Sequence, residues 1–363
     1  MKSKTLLITG TMLVDAPLSA LNNAGTDRGQ VTENMMKVKA FRKGRDWFPY
    51  VSGQAVKRWW RDTLLANTGW KPSPIFRQVE GAKQQAYTEA NPLEYEEDDL
   101  FGYMKAVKPF TFRRVAPVKV SPLVSVEPAP PHIDFGVFAR GEGDPVIYEQ
   151  QLYSSILRGS FSVLANFVGR FGIGEMLDIP GRELEPKVKE KKEEKKKEEQ
   201  TKALAFIEYR NRIWAKADEA GLKEDNGVLM LPNEERATRV YETILALATL
   251  TGGAKITSYL TDVAPKAIVA APLTVANHIF LYTLKTMNYK PVLDTEALKD
   301  VLDDYKDYLA NGKIYIGVRE GFMSKEAYTE AENFSYEGVV VVFGTPKQVL
   351  ETLAKDVKTL MTK

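Results

Sequence analysis

The chain has 363 residues, 44% of them apolar, which is enough to bury a large core in one elaborated domain or two compact ones and excludes disorder throughout. Its 50 basic and 48 acidic residues leave a net charge of +2, so any binding of nucleic acid must come from local segregation of charge. With no cysteine and only His132 and His278, disulfides, thiolate metal sites and cysteine nucleophiles are excluded, an imidazole-based metal site or triad nearly so, and a reducing cytoplasm is favoured.

The first residues, "MKSKTLLITGTMLVDAP", begin like a secretion signal, but Gly10 and Asp15 break the apolar stretch and residues 4 to 14 alternate as a strand does. No run approaches the ~18 apolar residues of a membrane span, so a soluble cytoplasmic protein with no membrane partner is expected. Residues 15 to 35, with "LNNAGTDRGQ", read as a polar loop. Residues 37 to 61 then gather Lys37, Lys39, Arg42, Lys43, Arg45, Lys57, Arg58 and Arg61 against Asp46 alone. Within them "SGQAVKRWWRD" predicts a helix over 53–66, capped by Ser52, with Val56, Trp59, Trp60 and Leu64 on one face and Lys57 and Arg61 one turn apart beside it. The two tryptophans are expected to anchor that helix in the core rather than to stack on bases.

The next polar segment ends at "LEYEEDDLFGYMK", where Glu94, Glu96, Glu97, Asp98 and Asp99 precede Leu100 to Met104. Consecutive carboxylates point in different directions, so this run reads as a solvated edge or a surface complementary to a basic neighbour before it reads as a metal site. The sign reverses around "FTFRRVAPVKV", a predicted strand over 111–121 preceded by Lys105 and Lys108 and carrying Arg113, Arg114 and Lys119. Prolines and glycines over 127–145 suit a projecting hairpin, and 148–166 predict a long strand with an outward Arg158. Residues 187 to 199, "KVKEKKEEKKKEE", have Val188 as their one apolar residue and are expected to be a solvated helix or a mobile insertion. Helices over 203–218 and 234–249, a buried strand over 264–272, a helix over 294–310, the strands "KIYIGVR" and "GVVVVF" and a helix from Thr345 to about Leu360 complete the pattern. The core order, β-α-β-β-α-β, predicts an α+β fold: a ferredoxin-like, RRM-like palm carrying inserted lobes. The aromatic signature with which the common RNA-binding module stacks bases on its sheet is absent.

Four segments, in order, carry a resemblance. "SGQAVKRWWRD" resembles the "S-[SG]-Q-x-[LVI]-K-R-x-x-R" segment of the backbone subunit of type I CRISPR interference complexes (Cascade), the Cas-seven family. "DLFGYM" is similar to that family's segment ending in Gly-x-Met, "YEQQLYSSILRGSF" to its third palm strand, and "LTGGAKITSYLTDVAPKAIVAA" to its "GA[KN]x₂-[TS]…[NTD]-x-x-P" stretch. The set spans residues 1 to about 275 and looks most like the DevR branch, associated with type I-B systems. The resemblance implies a palm (1–66 with 98–121, 146–180 and 230–363), short fingers (67–97), a thumb (122–148) and an unassigned charged insertion (185–202). It implies a crescent of copies along a CRISPR guide RNA, with other Cascade subunits as further partners and target DNA reached through the guide, no catalysis, no cofactor and no metal. The expected RNA contacts are Asn22, Arg28, Lys37, Lys39, Ser52, Gln54, Lys57, Arg58, Arg61, Met104 and Lys255.

Elementary chemistry gives these residues a reason: a helix N-terminus offers free amide hydrogens and partial positive charge to a phosphate, and flanking cations neutralise it without reading bases. Met104 fits either a buried turn or a contact with a displaced base. Gly252 and Gly253 either cap the preceding helix or let the backbone approach phosphate beside Lys255. Two alternatives stand: an RNA-processing ribonuclease, which needs a histidine pair or a carboxylate aimed at phosphate, and a DNA-binding autoregulator, for which no helix-turn-helix is visible.

Overall fold

The computed structural model describes residues 5–30, 32–80, 83–139, 143–186 and 193–363. The start of the first predicted strand, the tip of the predicted thumb and residues 187–192 of the lysine-glutamate stretch lie outside the described residues.

A large mixed sheet organises the chain. Its main strands in chain order are β1 (Leu7–Ser19), β2 (Ala40–Lys43), β3 (Asp46–Val51), β4 (Val118–Val120), β5 (Leu123–Ser125), β6 (Val146–Leu164), β7 (Ala267–Leu273), β8 (Lys313–Val318) and β9 (Val340–Gly344). Across the sheet they lie β9-β8-β7-β1-β6-β5-β3-β2, with β4 also on β6. β1 is antiparallel to both β6 and β7, Gly10 facing Phe161 on one side and Ala270 on the other. The absence of a side chain at Gly10 matters there, because a Cβ would stand 2.7 Å from the Phe161 ring and from the Val269 carbonyl.

Alternation along β1 sorts its two faces. Ile8, Met12 and Val14 enter a core shared with α1 (Gly53–Asn67), α2 (Asn233–Ala246) and α3 (Pro346–Thr362). Leu13 enters a second core with Val269, Phe280, Leu298 and Ile316, closed by the helices Thr295–Tyr305 and Lys325–Glu332. A third core, set aside from the sheet, joins Phe112 of the hairpin Tyr103–Arg114 to Phe171 and to Phe206, Tyr209 and Ile213 of the long helix Glu193–Glu219.

α1 forms as its sequence predicts. The Ser52 hydroxyl accepts from the Ala55 amide, and Val56, Trp59, Trp60, Thr63 and Leu64 are buried at helical spacing. Trp60 is fully buried, its indole N–H donating to the Thr243 carbonyl at 2.8 Å, so both tryptophans are core anchors.

Several expectations need correction. The strand over 111–121 is two strands: Phe110–Arg114 leaves for the side hairpin, and only Val118–Val120 joins the central sheet. The helix over 203–218 begins earlier, at Glu193, inside the lysine-glutamate stretch, and the helix over 294–310 is shorter, its α-helical part ending at Tyr305. The acidic run is not a solvated edge. Glu97, Asp98 and Asp99 are buried; the Asp99 carboxylate accepts from Arg114, from Arg239 at 2.9 Å and from the Gly169 amide at 2.8 Å, while Asp98 accepts from Ser73 and the Asn91 amide. The carboxylates do diverge, but toward partners inside the protein.

Candidate nucleic-acid interface

Three of the residues expected to meet RNA, Asn22, Lys39 and Ser52, lie along one route of hydrogen bonds. The Tyr50 amide donates to the Lys39 carbonyl (2.9 Å), the Lys39 amide to the Asn22 carbonyl (2.8 Å), and the Ser52 amide to the Asn22 side-chain oxygen (3.0 Å). Asn22 therefore ties the Lys39 strand to the N-terminus of α1, where Gln54 is exposed and Lys57 half-buried. Lys57 extends to the Phe101 carbonyl at 3.0 Å, which brings the "DLFGYM" segment to the same end of the helix. Met104 stands clear of the surface, 60% exposed on the side hairpin, so it is not part of a buried turn.

The electrostatics at this end of α1 are repulsive. Burial, the nearby Lys119 charge and then Arg61 hold Lys57 below the usual lysine value, and the hydrogen-bond partner of its ammonium is a neutral carbonyl. Lys119 also pushes His278 down, after burial. In the sheet register Lys119 faces Ser162, and Ser162 faces Thr9, whose hydroxyl is 3.0 Å from the His278 ring. The Ser162 hydroxyl is buried without a partner. Cations gathered against one another lower stability, and an anion drawn among them would relieve both the repulsion and the shift of Lys57.

Other expected residues sit differently. Lys37 is paired with Asp27 at 2.8 Å. Arg28 is exposed in a loop whose neighbours Gln30 and Thr32 bond to Glu149 of β6. Arg58 and Arg61 both reach Asp62, and Arg61 also lies 3.4 Å from Glu97, so the C-terminal half of the helix is largely neutralised. Lys255 donates to the Gln150 side chain at 3.0 Å, at the base of the hairpin that His132–Phe138 makes with the first half of β6. Gly252 and Gly253 do not cap the preceding helical turn, which ends at Leu250; a Cβ at Gly252 would stand 2.2 Å from the Trp59 ring and one at Gly253 2.8 Å from Leu21, both at positive φ. Close packing by Trp59 of α1 and by Leu21 leaves no room for a side chain at either position.

Sequence reasoning left out Lys119, although its place between the inward Val118 and Val120 predicts a side chain on the opposite face. It also left out Trp47, 41% exposed, which with Tyr50, Lys37 and Lys39 lines a cleft of about 720 Å³ between the β2–β3 hairpin and the root of the predicted thumb. Only an aromatic beside a basic run could have signalled it. Among the described residues no cluster of acids and histidines is placed to hold a metal ion, and no helix is long and apolar enough to cross a membrane.

No curated protein matches the chain. Solved chains that resemble it include one in a "CRISPR RNA-guided surveillance complex" (TM-score 0.49, 10% identity, covering 96% of this chain and 99% of that one) and a second in a "CRISPR RNA-guided surveillance complex, pre-nicking" (TM-score 0.50, 9% identity, 97% and 100%). At such identity the second likeness defines a class of fold, a mixed α+β chain built on a large sheet. The model of the family described as CRISPR-associated negative auto-regulator DevR/Csa2 matches residues 8–290, and the chain belongs to that family.

Proposed function

We propose that the chain is a non-catalytic scaffold of a Cascade interference complex, one that assembles in several copies along a CRISPR guide RNA and displays the guide for pairing with target DNA. The observation that carries this reading is the mutually repelling pair of Lys57 and Lys119 at the N-terminal half of an α1 that is capped by Ser52 and held by Asn22. It suits a phosphate and is indifferent to base identity, as a carrier of arbitrary guides must be. Family membership and the surveillance-complex titles of the structural relatives agree with it.

The strand order β4/β5-β6-β1-β7, with α1 and α2 between its members in sequence, supports the ferredoxin-like palm. On this reading the hairpin of His132–Phe138 with β6 is the thumb, and the hairpin Ile75–Thr88 belongs to the fingers. Against the ribonuclease alternative stands the placement of the histidines. His132 faces Leu152 and His278 bonds to Thr9, which faces Ser162, so they mark points ten residues apart on β6, about 30 Å along an extended strand.

Light scattering after size exclusion, with and without guide RNA, tests the proposal. Expected are several copies per RNA, affinity that falls steeply with salt and barely depends on sequence, and an RNA that stays whole. A chain that ignores single-stranded RNA at low ionic strength, shortens it unaided, or prefers a specific DNA duplex would overturn the proposal.

A further inference from the structure

The side lobe holds a second place where the chemistry of a nucleotide is met. A cleft of about 520 Å³, within the range of small-ligand sites, opens between the hairpin Ile75–Thr88, the hairpin Tyr103–Arg114 and the long helix. Phe76 and Tyr87 are cross-strand neighbours whose rings stack at 5.8 Å and 22°. Tyr209 forms the opposite wall, fixed by its hydroxyl, which donates to the Ala90 carbonyl at 2.8 Å.

Lys105 lies among the three rings, its ammonium 5.6 Å from the centre of Phe76, 5.8 Å from Tyr87 and 4.3 Å from Tyr209. It is buried, donating to the Glu89 carbonyl at 2.7 Å; the Glu89 carboxylate is farther, at 3.8 Å, and closer to Arg212, at 2.8 Å. The ammonium is thus held mainly by a neutral oxygen and ring faces, and burial lowers its pKa to about 8. A buried amine so placed favours the approach of an anion. Phe76 remains 41% exposed, leaving aromatic surface for a flat ring to cover, and the exposed Gln85 and Glu208 at the rim offer a donor and an acceptor to the edge of such a ring.

From this geometry we propose that the side-lobe cleft binds one nucleotide unit, its base against Phe76 and Tyr87 and its phosphate drawn to Lys105 and Arg212. The unit comes either from free mononucleotide or from a single strand passing the lobe; both present the same base and phosphate. The cleft shares no residue with the α1 interface, so the two readings can fail separately.

The test uses the full chain without guide RNA. Binding of AMP and of a short oligoadenylate is measured by calorimetry, and an 8-azidoadenosine version of each is crosslinked and its attachment mapped by mass spectrometry. Attachment at Tyr87, Phe76 or Tyr209, with at least tenfold weaker binding in Tyr87→Ala and in Lys105→Met, is the expected result. AMP binding would identify the free nucleotide as a source; binding by the oligonucleotide alone would identify the strand. No binding of either, attachment only near α1, or variants that bind as well as the parent would overturn the proposal. Circular dichroism of each variant guards against misfolding, and Arg212→Gln, at a side chain 58% exposed, repeats the test without disturbing the core.

Discussion

The two charged runs of this chain end in opposite places. The acids at 97 to 99 turn inward, where Asp99 alone joins the side hairpin through Arg114, α2 through Arg239 and the Gly169 turn. The bases at 37 to 61 stay largely at the surface, and where Lys57 withdraws from water it meets a neutral carbonyl and the field of Lys119. Charge is retained inside a protein when each group finds a partner. Charge gathered against its own kind costs stability, and the reason for keeping it lies in what binds there. The acidic run is structural, and under the function proposed above the basic run is the interface.

The sharpest way to break this comparison is at Asp99. Asp99→Ala would leave Arg114 and Arg239 buried without their shared carboxylate, at a cost of about 4 kcal/mol, read as a lower denaturation midpoint with unchanged slope. A loss below about 1 kcal/mol would mean that the clasp does not hold the lobe.

Lys105 comes next. Its folded pKa of about 8 lies below the ordinary lysine value of 10.5, so the unfolded chain binds more protons between those values and stability rises with pH through that window. Lys105→Met removes the buried charge, so it should be the more stable protein at pH 7.5. Its advantage should shrink by about 2 kcal/mol at pH 9.5, at roughly 1.4 kcal/mol per pH unit above pH 8. A constant difference between the two proteins would show the amine to be ordinarily solvated.

Much of this was legible in the sequence because it is local. The capped helix at Ser52, its buried tryptophans and the long strands β1 and β6 follow from period and from turn chemistry. What escaped depends on contacts distant along the chain. Alternation in "FTFRRVAPVKV" continues across Arg114, but Asp99 and the Arg170 and Phe167 carbonyls capture that guanidinium, and Pro117 has no N–H to extend a ladder. The burial of "EDD" (Glu97 to Asp99) could not be read locally either, since one partner of Asp99 is 140 residues away. The expected RNA contacts divide in the same way: those near Ser52 are joined through Asn22, and Arg61, sequestered by Glu97, is drawn off by a contact that no local pattern announces.

Lys119→Ala sharpens the other side of the comparison. It removes a cation that disfavours charged Lys57, so stability should hold or rise by a few tenths of a kcal/mol while RNA affinity falls about tenfold, about 1.4 kcal/mol, and the salt slope loses about 0.7. Opposite signs for stability and binding are what a functional cluster gives and a structural one does not. A fall in both would return Lys119 to the scaffold.

The smallest effect is expected at Arg58, which is 73% exposed and 3.3 Å from Asp62. In this pair the cation precedes the acid along the helix, the weaker orientation, so Arg58→Ala should change stability by less than about 0.5 kcal/mol. Filter binding should show an RNA affinity reduced only about twofold, since Asp62 already offsets the charge and the phosphate is drawn to the N-terminal turn by Lys57, Lys119 and the free amides. Should Arg58→Ala weaken RNA as much as Lys119→Ala does, the strand must run over the outer face of α1 instead, and Asp62→Asn would then strengthen binding where the N-terminal route predicts little change.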